Sequence, residues 1–507
     1  MKYLYGFAVI CSLLLWSSCR NDFESVPSTG NLEFSRDTIY LDTIFSTIGS
    51  STYNLKVYNR SDEDVTIPSV RLGQGESSNY RLNVDGLPGK VFENIQVLAK
   101  DSIFIFVETT IDINNLPAGG NNFLYTDQIL FDTGGNEQKV ELVTLVQDAV
   151  FLFPAQIGGG MVETLTLGEG ENATQIEGFF LEDDELTFTN EKPYVIYGYA
   201  AVPGNRTLNI EPGARIHFHA NSGILVAQNG SIKSIGAASN DAEAMENEII
   251  FEGDRLEPAF ADIPGQWGTI WLTSGSVDNQ FEYTTIKNST VGVLVDNSSA
   301  DFSNVQIYNN ANVGVLARTG DVVGENMVIN NSGQSSLAIQ LGGSYDFRHC
   351  TFVNYWTNGF RSFPSVSIDN ILETEEVLFV ADLVQANFTN CIIYGNERRE
   401  ISLFRSNDAD FNFNFSNSLI RFEDTNNEFD GNPLYDFSNP SLYSNIIFNE
   451  DPAFQNTNLN NFNIENGTSG AENIGLSNVQ PLVDLNGTAR STPPDAGAYE
   501  STTFPEL

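Results

Sequence analysis

Basic side chains that could take part in proton transfer are few in this chain, and two adjacent basic pairs stand out among them. Arg348-His349 and Arg398-Arg399 are the basic pairs of the repetitive region described below. A positioned base could remove a proton from a bound substrate, but general-base catalysis needs a tuned pKa, and no residue pattern here indicates one. Solvated turn residues are the competing interpretation. We therefore predict no catalytic residue, and Arg348, His349 and Arg398 are the candidates if one exists.

Histidines, which are common ligands of transition metals, are equally sparse. The chain has 3 histidines, of which His217 and His219 alternate along a predicted strand and share one face. We interpret this pair as polar residues on the solvent side of the strand rather than as ligands. Asp430–Asn432 and Asp484–Gly487 resemble calcium loops, but neither completes the twelve-residue frame, so ordinary turns are favoured. The sequence predicts no metal site and no cofactor, with Ca²⁺ left open.

The charge of the chain excludes one class of partner. There are 66 acidic and 24 basic residues among 507, which gives a formal charge of -42. No basic patch interrupts this excess, and a polyanion would be repelled unless cations intervened. We predict that the protein does not bind nucleic acid.

The first residues predict an export signal and a membrane anchor. Lys2 precedes a short apolar run that is too short to span a bilayer, and Ser17-Ser18-Cys19 follows it. This order is typical of a lipoprotein signal peptide (1–18) that is cleaved before Cys19. The predicted lipidation site is Cys19, which residues 19–30 would tether to the folded protein.

Residues 31–150 predict a β-sandwich domain. Short runs alternate between apolar and polar residues, as in Thr52–Tyr58 and Ser102–Val107, and turn clusters such as Gly86–Gly89 separate them. Seven or eight strands over about 120 residues are typical of an immunoglobulin-like β-sandwich. Such a fold carries no activity by itself. The looser segment 151–203 is interpreted as a linker and the N-terminal cap of the next domain.

A phenylalanine-led repeat dominates residues 204–425. An aromatic residue is followed five positions later by Ile, Val or Phe, and in most copies Asn occupies the seventh position. The copies begin at Phe281, Phe302, Val323, Phe347, Phe388 and Phe415. A period near 22 with asparagine-rich turns predicts a parallel β-helix, whose coils stack about 4.8 Å apart. The longer interval between Phe347 and Phe388 fits either two coils or one coil with an insertion.

Two columns of the repeat predict structural roles. The second position after the aromatic residue is Asn304, Asn390 or Asn417, and asparagine suits stacked turns because it tolerates left-handed backbone geometry. The third position includes Cys350 and Cys391. We expect buried free thiols there, and a disulfide only if the two coils are adjacent.

Six segments carry a resemblance to a known family. They resemble the opening and closing segments of right-handed parallel β-helix lipoproteins of Bacteroidota, and they are Leu208–Phe218, Gly230–Ile232, Pro264–Ile270, Asp451–Phe454, Asp484–Arg490 and Pro494–Glu500. The resemblance implies a pectate-lyase-like solenoid that residues 426–507 close. Asn21–Glu24 is similar to the acidic export stretch of that group, which implies an outer-membrane address facing the cell exterior.

Three functions stay open. The first is a non-catalytic surface lipoprotein whose rigid β-helix binds glycan or protein, and Trp267, Trp271 and Trp356 could stack on sugar rings. The second is a calcium-dependent polysaccharide lyase or glycoside hydrolase, which requires a cleft where Arg348, His349 or Arg398 meets at least two carboxylates. The third is an accessory lipoprotein subunit of an outer-membrane β-barrel complex. The first is favoured, so the chain is more consistent with a binding protein than with an enzyme.

Overall fold

The computed structural model describes residues 25–116, 120–168, 170, 173–241, 244–374 and 377–505. They form an all-β protein, as the sequence predicts, and the chain divides into two compact units, 1–148 and 149–507. The predicted signal peptide (1–18) and the predicted lipidation site Cys19 lie outside the described residues. Within the described residues, no helix has the length and apolar character that crossing a membrane requires.

The first unit contains strands β1–β11, which are, in chain order, Val26–Pro27, Glu33–Phe34, Thr38–Phe45, Tyr53–Tyr58, Val65–Leu72, Tyr80–Val84, Leu87–Gly89, Val91–Val97, Ser102–Thr109, Asn122–Phe131 and Gln138–Gln147. One sheet has the order β1-β5-β10-β11-β3 with β8 paired to β5, and the other has the order β2-β4-β9-β6-β7. Both sheets contribute to a single hydrophobic core.

Alternation along the strands builds this core. In β9, Ile103, Ile105 and Val107 point inward and are buried, whereas Phe104 and Phe106 point outward and are exposed. The sequence predicts a tether that extends to residue 30. Strand pairing begins before that residue, because Val26–Pro27 already pairs in parallel with Val65 and Thr66. Assignment of the two sheets to an immunoglobulin-like topology stays a prediction.

The second unit contains strands β12–β44, which are, in chain order, Val150–Leu152, Gln156–Gly158, Met161–Val162, Thr164–Leu167, Thr174–Phe180, Thr187–Phe188, Tyr194–Ile196, Tyr199–Val202, Thr207–Ile210, Arg215–Phe218, Gly223–Val226, Ser231–Ile235, Ile249–Gly253, Ile270–Leu272, Asn279–Lys287, Val291–Asp296, Ser299–Asn310, Val313–Glu325, Val328–Ser332, Leu337–Arg348, Thr351–Asn354, Val366–Asp369, Ile371–Glu373, Leu378–Val380, Leu383–Thr389, Ile392–Gly395, Ile401–Phe404, Asn414–Ser416, Leu419–Ile420, Tyr443–Ser444, Ile447–Phe448, Phe454–Asn456 and Asn461–Ile464. Short 3₁₀ helices of the two units are Gly75–Ser77, Ile113–Asn115, Gly134–Asn136, Pro258–Phe260, Pro433–Tyr435 and Thr457–Leu459.

Parallel pairing from coil to coil arranges most of these strands in three sheets, the pattern of a parallel β-helix. Sheet A follows β12, β18, β21, β24, β26, β28, β30, β32, β37, β40 and β42. Sheet B follows β16, β19, β22, β25, β27, β29, β31, β33 and β38. Sheet C follows β17, β20, β23, β26, β28, β29, β31, β36, β39 and β41. The right-handed sense of the coils stays a prediction.

The coils extend beyond both expected boundaries of 204–425. Val150–Leu152 already pairs with Tyr194–Ile196, so the segment interpreted as a linker and cap supplies the first coil. At the other end, Tyr443–Ser444 and Ile447–Phe448 continue sheets C and A. At the N-terminal end, short strands that lack the repeat still pair with the neighbouring coil. At the C-terminal end, Tyr443 takes the aromatic position, because it pairs with Phe415 and Phe448 follows it five positions later.

The predicted aromatic repeat forms a stacked column inside sheet C. The ring centroids of Phe281 and Phe302 are 5.1 Å apart, those of Phe347 and Phe388 are 5.2 Å apart, and those of Phe388 and Phe415 are 4.8 Å apart. The pairing of Phe347 with Phe388 shows that the long interval holds one coil with insertions.

The copy assigned to Val323 is out of register by one residue. Gly324 pairs with Phe302 on one side and with Phe347 on the other, so it occupies the aromatic column. A Cβ on Gly324 would lie 2.6 Å from both the Met327 Sδ and the Phe347 Cδ1. The Met327 side chain therefore fills the space that a phenylalanine takes in the other coils, which is why an aromatic search misplaces this coil.

Asparagines in left-handed turns connect sheet C to sheet A, as the sequence predicts. Asn304, Asn326, Asn390 and Asn417 have φ values of 55°, 51°, 56° and 49°. The Asn326 Nδ2 donates to the Asn304 Oδ1 one coil away at 2.9 Å. Cys350 and Cys391, in the adjoining column of adjacent coils, are buried free thiols and not a disulfide.

The closing segment does more than close the last coil. Phe429, Leu434, Tyr435 and Phe437 pack against the main core at the end of the β-helix. Residues after 450 then fold back over the outer face of sheet A and bury Phe462, Ile464, Ala471, Ala496, Ala498 and Tyr499 against Tyr308, Val328, Val353, Ile392 and Leu419. This explains why outward-facing positions of sheet A are apolar.

Candidate functional site

The three basic candidates from the sequence lie in three different environments. Arg348 is on the outer surface of sheet C, where it donates to the Glu325 Oε1 at 3.0 Å and forms a second ion pair with Asp346. The bond to Asp346 raises the pKa of Arg348 further, although burial opposes the shift. Arg348 thus meets two carboxylates, but both already occupy its guanidinium on a strand surface.

His349 is fully buried in the asparagine column. Its φ is 52°, and its Nε2 lies 3.0 Å from the Asn390 Nδ2 of the next coil. Burial and the nearby Arg490 charge lower the pKa of His349 to about 3, so the ring is neutral near pH 7. These contacts favour a structural role for His349 in a stacked turn.

Arg398 is exposed, and its Nη1 lies 3.5 Å from the Thr425 Oγ1. The neighbouring Arg399 pairs with Glu428 at 2.6 Å and lies over the Phe429 ring. Neither arginine is brought together with Arg348 or His349 by any described contact. The structure therefore does not assemble the three candidates into one site.

The two alternating histidines have separate environments. His217 is buried, with its Nδ1 3.7 Å from the Glu252 Oε1, so the expectation that both would lie in solvent is wrong for His217. His219 is half exposed, and its Nδ1 lies 2.8 Å from the Asp254 Oδ2. Among the described residues there is no group of three His, Cys, Asp or Glu side chains that could hold a metal ion.

His219 lies at the edge of a cleft in the corner where sheet A turns into sheet B, which we call the A–B corner. The cleft has a volume of about 580 Å³. Successive coils supply its floor, and the hairpin of β15 and β16 supplies one wall. Its lining residues are Ile176, Glu177, Tyr197, Gly198, Tyr199, His219, Ala220, Asn221, Gly268, Thr269, Thr290 and Val291.

Flat rings form the most distinctive part of the cleft. The rings of Tyr197 and His219 stack with centroids 4.5 Å apart and planes inclined by 29°. The Asp254 carboxylate holds His219 from behind and is itself mostly shielded from solvent. Burial and the Asp254 charge raise the pKa of Tyr197, so its hydroxyl stays protonated at neutral pH.

Two glycines let a third ring enter the floor. A Cβ on Gly268 would lie 2.2 Å from the Tyr199 hydroxyl, and a Cβ on Gly223 would lie 2.6 Å from the Tyr199 Cε1. Any other residue at these positions would displace the Tyr199 ring. Burial raises the pKa of Tyr199, so this hydroxyl also stays protonated.

Uncharged polar groups surround the rings. Thr269, Thr290 and Asn221 supply hydroxyl and amide groups, and none of the described lining residues is a lysine or an arginine. Glu177 is the carboxylate that reaches the lining. A surface of this kind can hold a flat apolar face against its rings and hydrogen-bond the hydroxyls around it.

Sequence reasoning missed this cleft because its rings come from the segment interpreted as a linker and cap. Tyr197 and Tyr199 lie within the run Tyr194–Tyr199. The sequence shows that this run is rich in aromatic residues, but it does not show where their rings lie in the fold. Of the three tryptophans considered as sugar platforms, Trp267 is buried and stacks on Phe218, and Trp271 and Trp356 are half buried.

Comparisons with known proteins add little to this geometry. No protein-family model and no curated protein matches the sequence. Among solved structures, the catalytic unit of a GH87 α-1,3-glucanase from Streptomyces thermodiastaticus is 11% identical, with 72% of this chain and 83% of that chain covered and a TM-score of 0.19. A PapD-like domain of human CEP192 is 14% identical over 26% of this chain and 94% of that chain, with a TM-score of 0.16. TM-scores this low support no argument about this protein.

Proposed function

We propose that this protein is a lipid-anchored surface protein whose β-helix binds neutral glycan chains in the cleft of Tyr197, Tyr199 and His219 without cleaving them. The observation that carries the proposal is the stacked pair of Tyr197 and His219 beside Tyr199 in a cleft whose described lining has no basic side chain except His219. Stacked rings bind the apolar face of a sugar, and the surrounding hydroxyl and amide groups match its hydroxyls.

Charge favours a neutral sugar over an acidic one. A lyase that acts on uronates needs a cation to neutralise the substrate carboxylate, and the lining offers Glu177 instead of a lysine or an arginine. A hydrolase needs two carboxylates that flank the bond to be cleaved, and of the two nearby carboxylates Asp254 is engaged by His219. Binding therefore fits the lining better than either reaction.

Cleavage is the second candidate, and one observation favours it. Asp254 fixes the orientation of His219, as a carboxylate does for a catalytic imidazole. On a bound uronate, the His219 Nε2 would take the C5 proton beside the carboxylate while the C4–O glycosidic bond breaks. This leaves a C4=C5 double bond and a leaving oxygen that takes a proton from water, so unsaturated products would appear. Their formation by the unmodified protein, and its loss in His219→Ala, would replace binding with catalysis as the function.

The proposed anchor rests on the N-terminal sequence. Lys2, the apolar run and Ser17-Ser18-Cys19 support lipidation of Cys19, and the acidic stretch Asn21–Glu24 supports export to the outer face of the outer membrane. In this proposal the first unit is an immunoglobulin-like spacer. Labelling of cells with an alkyne fatty acid should mark the protein and should not mark Cys19→Ser. Equal labelling of both would exclude this anchor.

A titration panel tests the glycan site directly. The full-length protein is titrated with neutral oligosaccharides of the glucan, xylan and mannan classes, and the tightest ligand is then tested against Tyr197→Ala. Loss of one stacking ring should weaken binding about tenfold, which corresponds to roughly 1.4 kcal/mol. Tyr40→Ala removes an exposed tyrosine of the first unit and should leave affinity unchanged. Equal affinity of Tyr197→Ala and the unmodified protein would place the ligand elsewhere.

A further inference from the structure

The A–B corner continues beyond the cleft as a regular ladder of polar residues, whose first member, Thr290, is half buried and donates its hydroxyl to the Trp267 carbonyl oxygen at 2.9 Å. Thr290 follows Gly268 by one coil, Asn312 follows Thr290, and Gln334 follows Asn312. The Asn312 backbone N–H donates to the Thr290 carbonyl oxygen at 2.9 Å, and the Gln334 N–H donates to the Asn312 carbonyl oxygen at 2.7 Å. Asn312 and Gln334 are exposed, so hydroxyl and amide groups repeat along the axis at the coil spacing.

Beyond Gln334 the ladder reaches an aromatic loop. The loop spans residues 355–365 and is inserted in the same corner, between β32 and β33. The Trp356 ring packs over the corner of the preceding coil, where a Cβ on Gly333 would lie 3.3 Å from the Trp356 Cζ2. Phe360, at the tip, is 92% exposed. Few large apolar side chains are presented to solvent so completely, because exposure forfeits their burial energy.

A buried ion pair holds this loop in place. Arg361, next to Phe360, donates to both carboxylate oxygens of Glu400 at 2.8 and 3.0 Å, and both side chains are almost fully buried. Arg361 also donates to the Asn354 carbonyl oxygen at 2.9 Å and to the Asn396 Oδ1 at 2.6 Å. The exposed phenylalanine is thus mounted on an anchored segment of backbone rather than on a mobile tip.

We infer that the A–B corner is one extended site for a linear neutral glycan, with the Tyr197–His219 cleft at one end and Phe360 as a stacking residue at the other. This inference rests on the proposed function and adds the length of the ligand and its second anchor. Six coil steps lead from Tyr197 to the Trp356 loop, by way of His219, Gly268, Thr290, Asn312 and Gln334, which is roughly 29 Å at the coil spacing. A pyranose ring is about as long as one step, so the corner fits a chain of about six sugars.

The spacing of the ladder also favours a glycan chain that lies along the axis of the β-helix. Thr290, Asn312 and Gln334 present similar polar groups at equal intervals, which matches the repeating hydroxyls of a linear homopolymer. All three are uncharged, so the ladder keeps the neutral character of the cleft, and the charged residues Arg255 and Glu257 of the insertion between β24 and β25 pair with each other at 2.9 Å. A branched or acidic chain gains nothing from this arrangement.

A length series tests this inference. The full-length protein is titrated with linear glucan, xylan and mannan oligosaccharides of two to eight residues. For the class that binds, affinity should rise about tenfold or more from two residues to six and then level off, because the corner is then filled. Phe360→Ala should remove most of that gain for the hexamer and leave the dimer affinity unchanged.

The design separates the two proposals. Phe379→Ala removes a half-exposed phenylalanine of the β34–β35 hairpin, outside the A–B corner, and should match the unmodified protein at every length. Dimer binding that Tyr197→Ala weakens, with no gain from longer chains or with the full gain kept in Phe360→Ala, overturns the extended site and leaves the cleft. Binding of no oligosaccharide at any length overturns both.

Discussion

At the scale of single residues, His349 shows how the fold uses a side chain that looks catalytic in the sequence. The asparagine column continues through Asn304, Asn326, Asn390 and Asn417, and His349 takes the same left-handed turn between two of them. Only the pairing of neighbouring coils reveals this role of His349. The sequence shows the basic pair Arg348-His349, but it does not show which residues surround the imidazole. The imidazole is shielded from solvent and bonded to Asn390, so it stabilises the turn in its neutral form.

This role predicts a pH dependence. Because the pKa of His349 is about 3 in the folded protein and near 6.5 in the unfolded chain, only the unfolded chain binds a proton between those values. The stabilisation from neutral His349 is complete above pH 6.5 and is lost as the pH falls towards 3. At pH 5 the loss is about 2 kcal/mol.

His349→Asn tests that dependence, because asparagine suits the turn and does not titrate. The variant should lose about 2 kcal/mol less stability than the unmodified protein between pH 7 and pH 5, as measured by urea unfolding. An equal loss in both proteins would show that His349 does not carry the effect.

At the scale of elements, the closing segment determines which faces of the β-helix are open. It covers the outer face of sheet A and also holds the turn column, where the Asn390 Oδ1 accepts from the Leu476 N–H at 2.6 Å and the Asn417 Nδ2 donates to the Ile474 carbonyl oxygen. Sheet A is thereby closed to ligands over this stretch, whereas the A–B corner stays open.

Gly497 brings this segment into close contact with sheet A. A Cβ there would lie 2.7 Å from the Ile392 Cδ1 and 2.8 Å from the Thr351 Oγ1, and its φ is 92°. Gly497→Ala should destabilise the β-helix by about 2–4 kcal/mol in urea unfolding, from backbone strain and overpacking together. Gly487→Ala has a similar φ of 80° but open space around it, so it should cost only about 1 kcal/mol. Equal costs would mean that the segment is not packed tightly at Gly497.

The elements also show where sequence reasoning succeeds and where it stops. The phenylalanine column, the asparagine turns and the buried thiols follow from local periodicity, and these predictions are confirmed. Gly324 breaks the column because Met327 fills it from another position, and no local pattern shows that. The cleft depends on Tyr197, which follows β18, and Tyr199 of β19 meeting turns from later coils, so it can be located only once the register is known.

At the scale of the whole molecule, charge and architecture agree on the class of ligand. A chain with a formal charge of -42 repels polyanions, and the A–B corner adds no lysine or arginine from the described cleft lining or from the Thr290, Asn312 and Gln334 ladder. The affinity for a neutral ligand would not depend on the negative charge of the protein. Measuring affinity at two salt concentrations therefore distinguishes a neutral glycan from an acidic one without any mutation.

The measurement that tests the central claim most directly is a calorimetric titration of the full-length protein with the best neutral oligosaccharide at 50 and 500 mM NaCl, with assay of the same samples for new reducing ends and unsaturated products. We expect saturable binding of equal affinity at both salt concentrations and no products after prolonged incubation. Binding that weakens steeply with salt would contradict a neutral site, and the appearance of products would contradict a non-catalytic one.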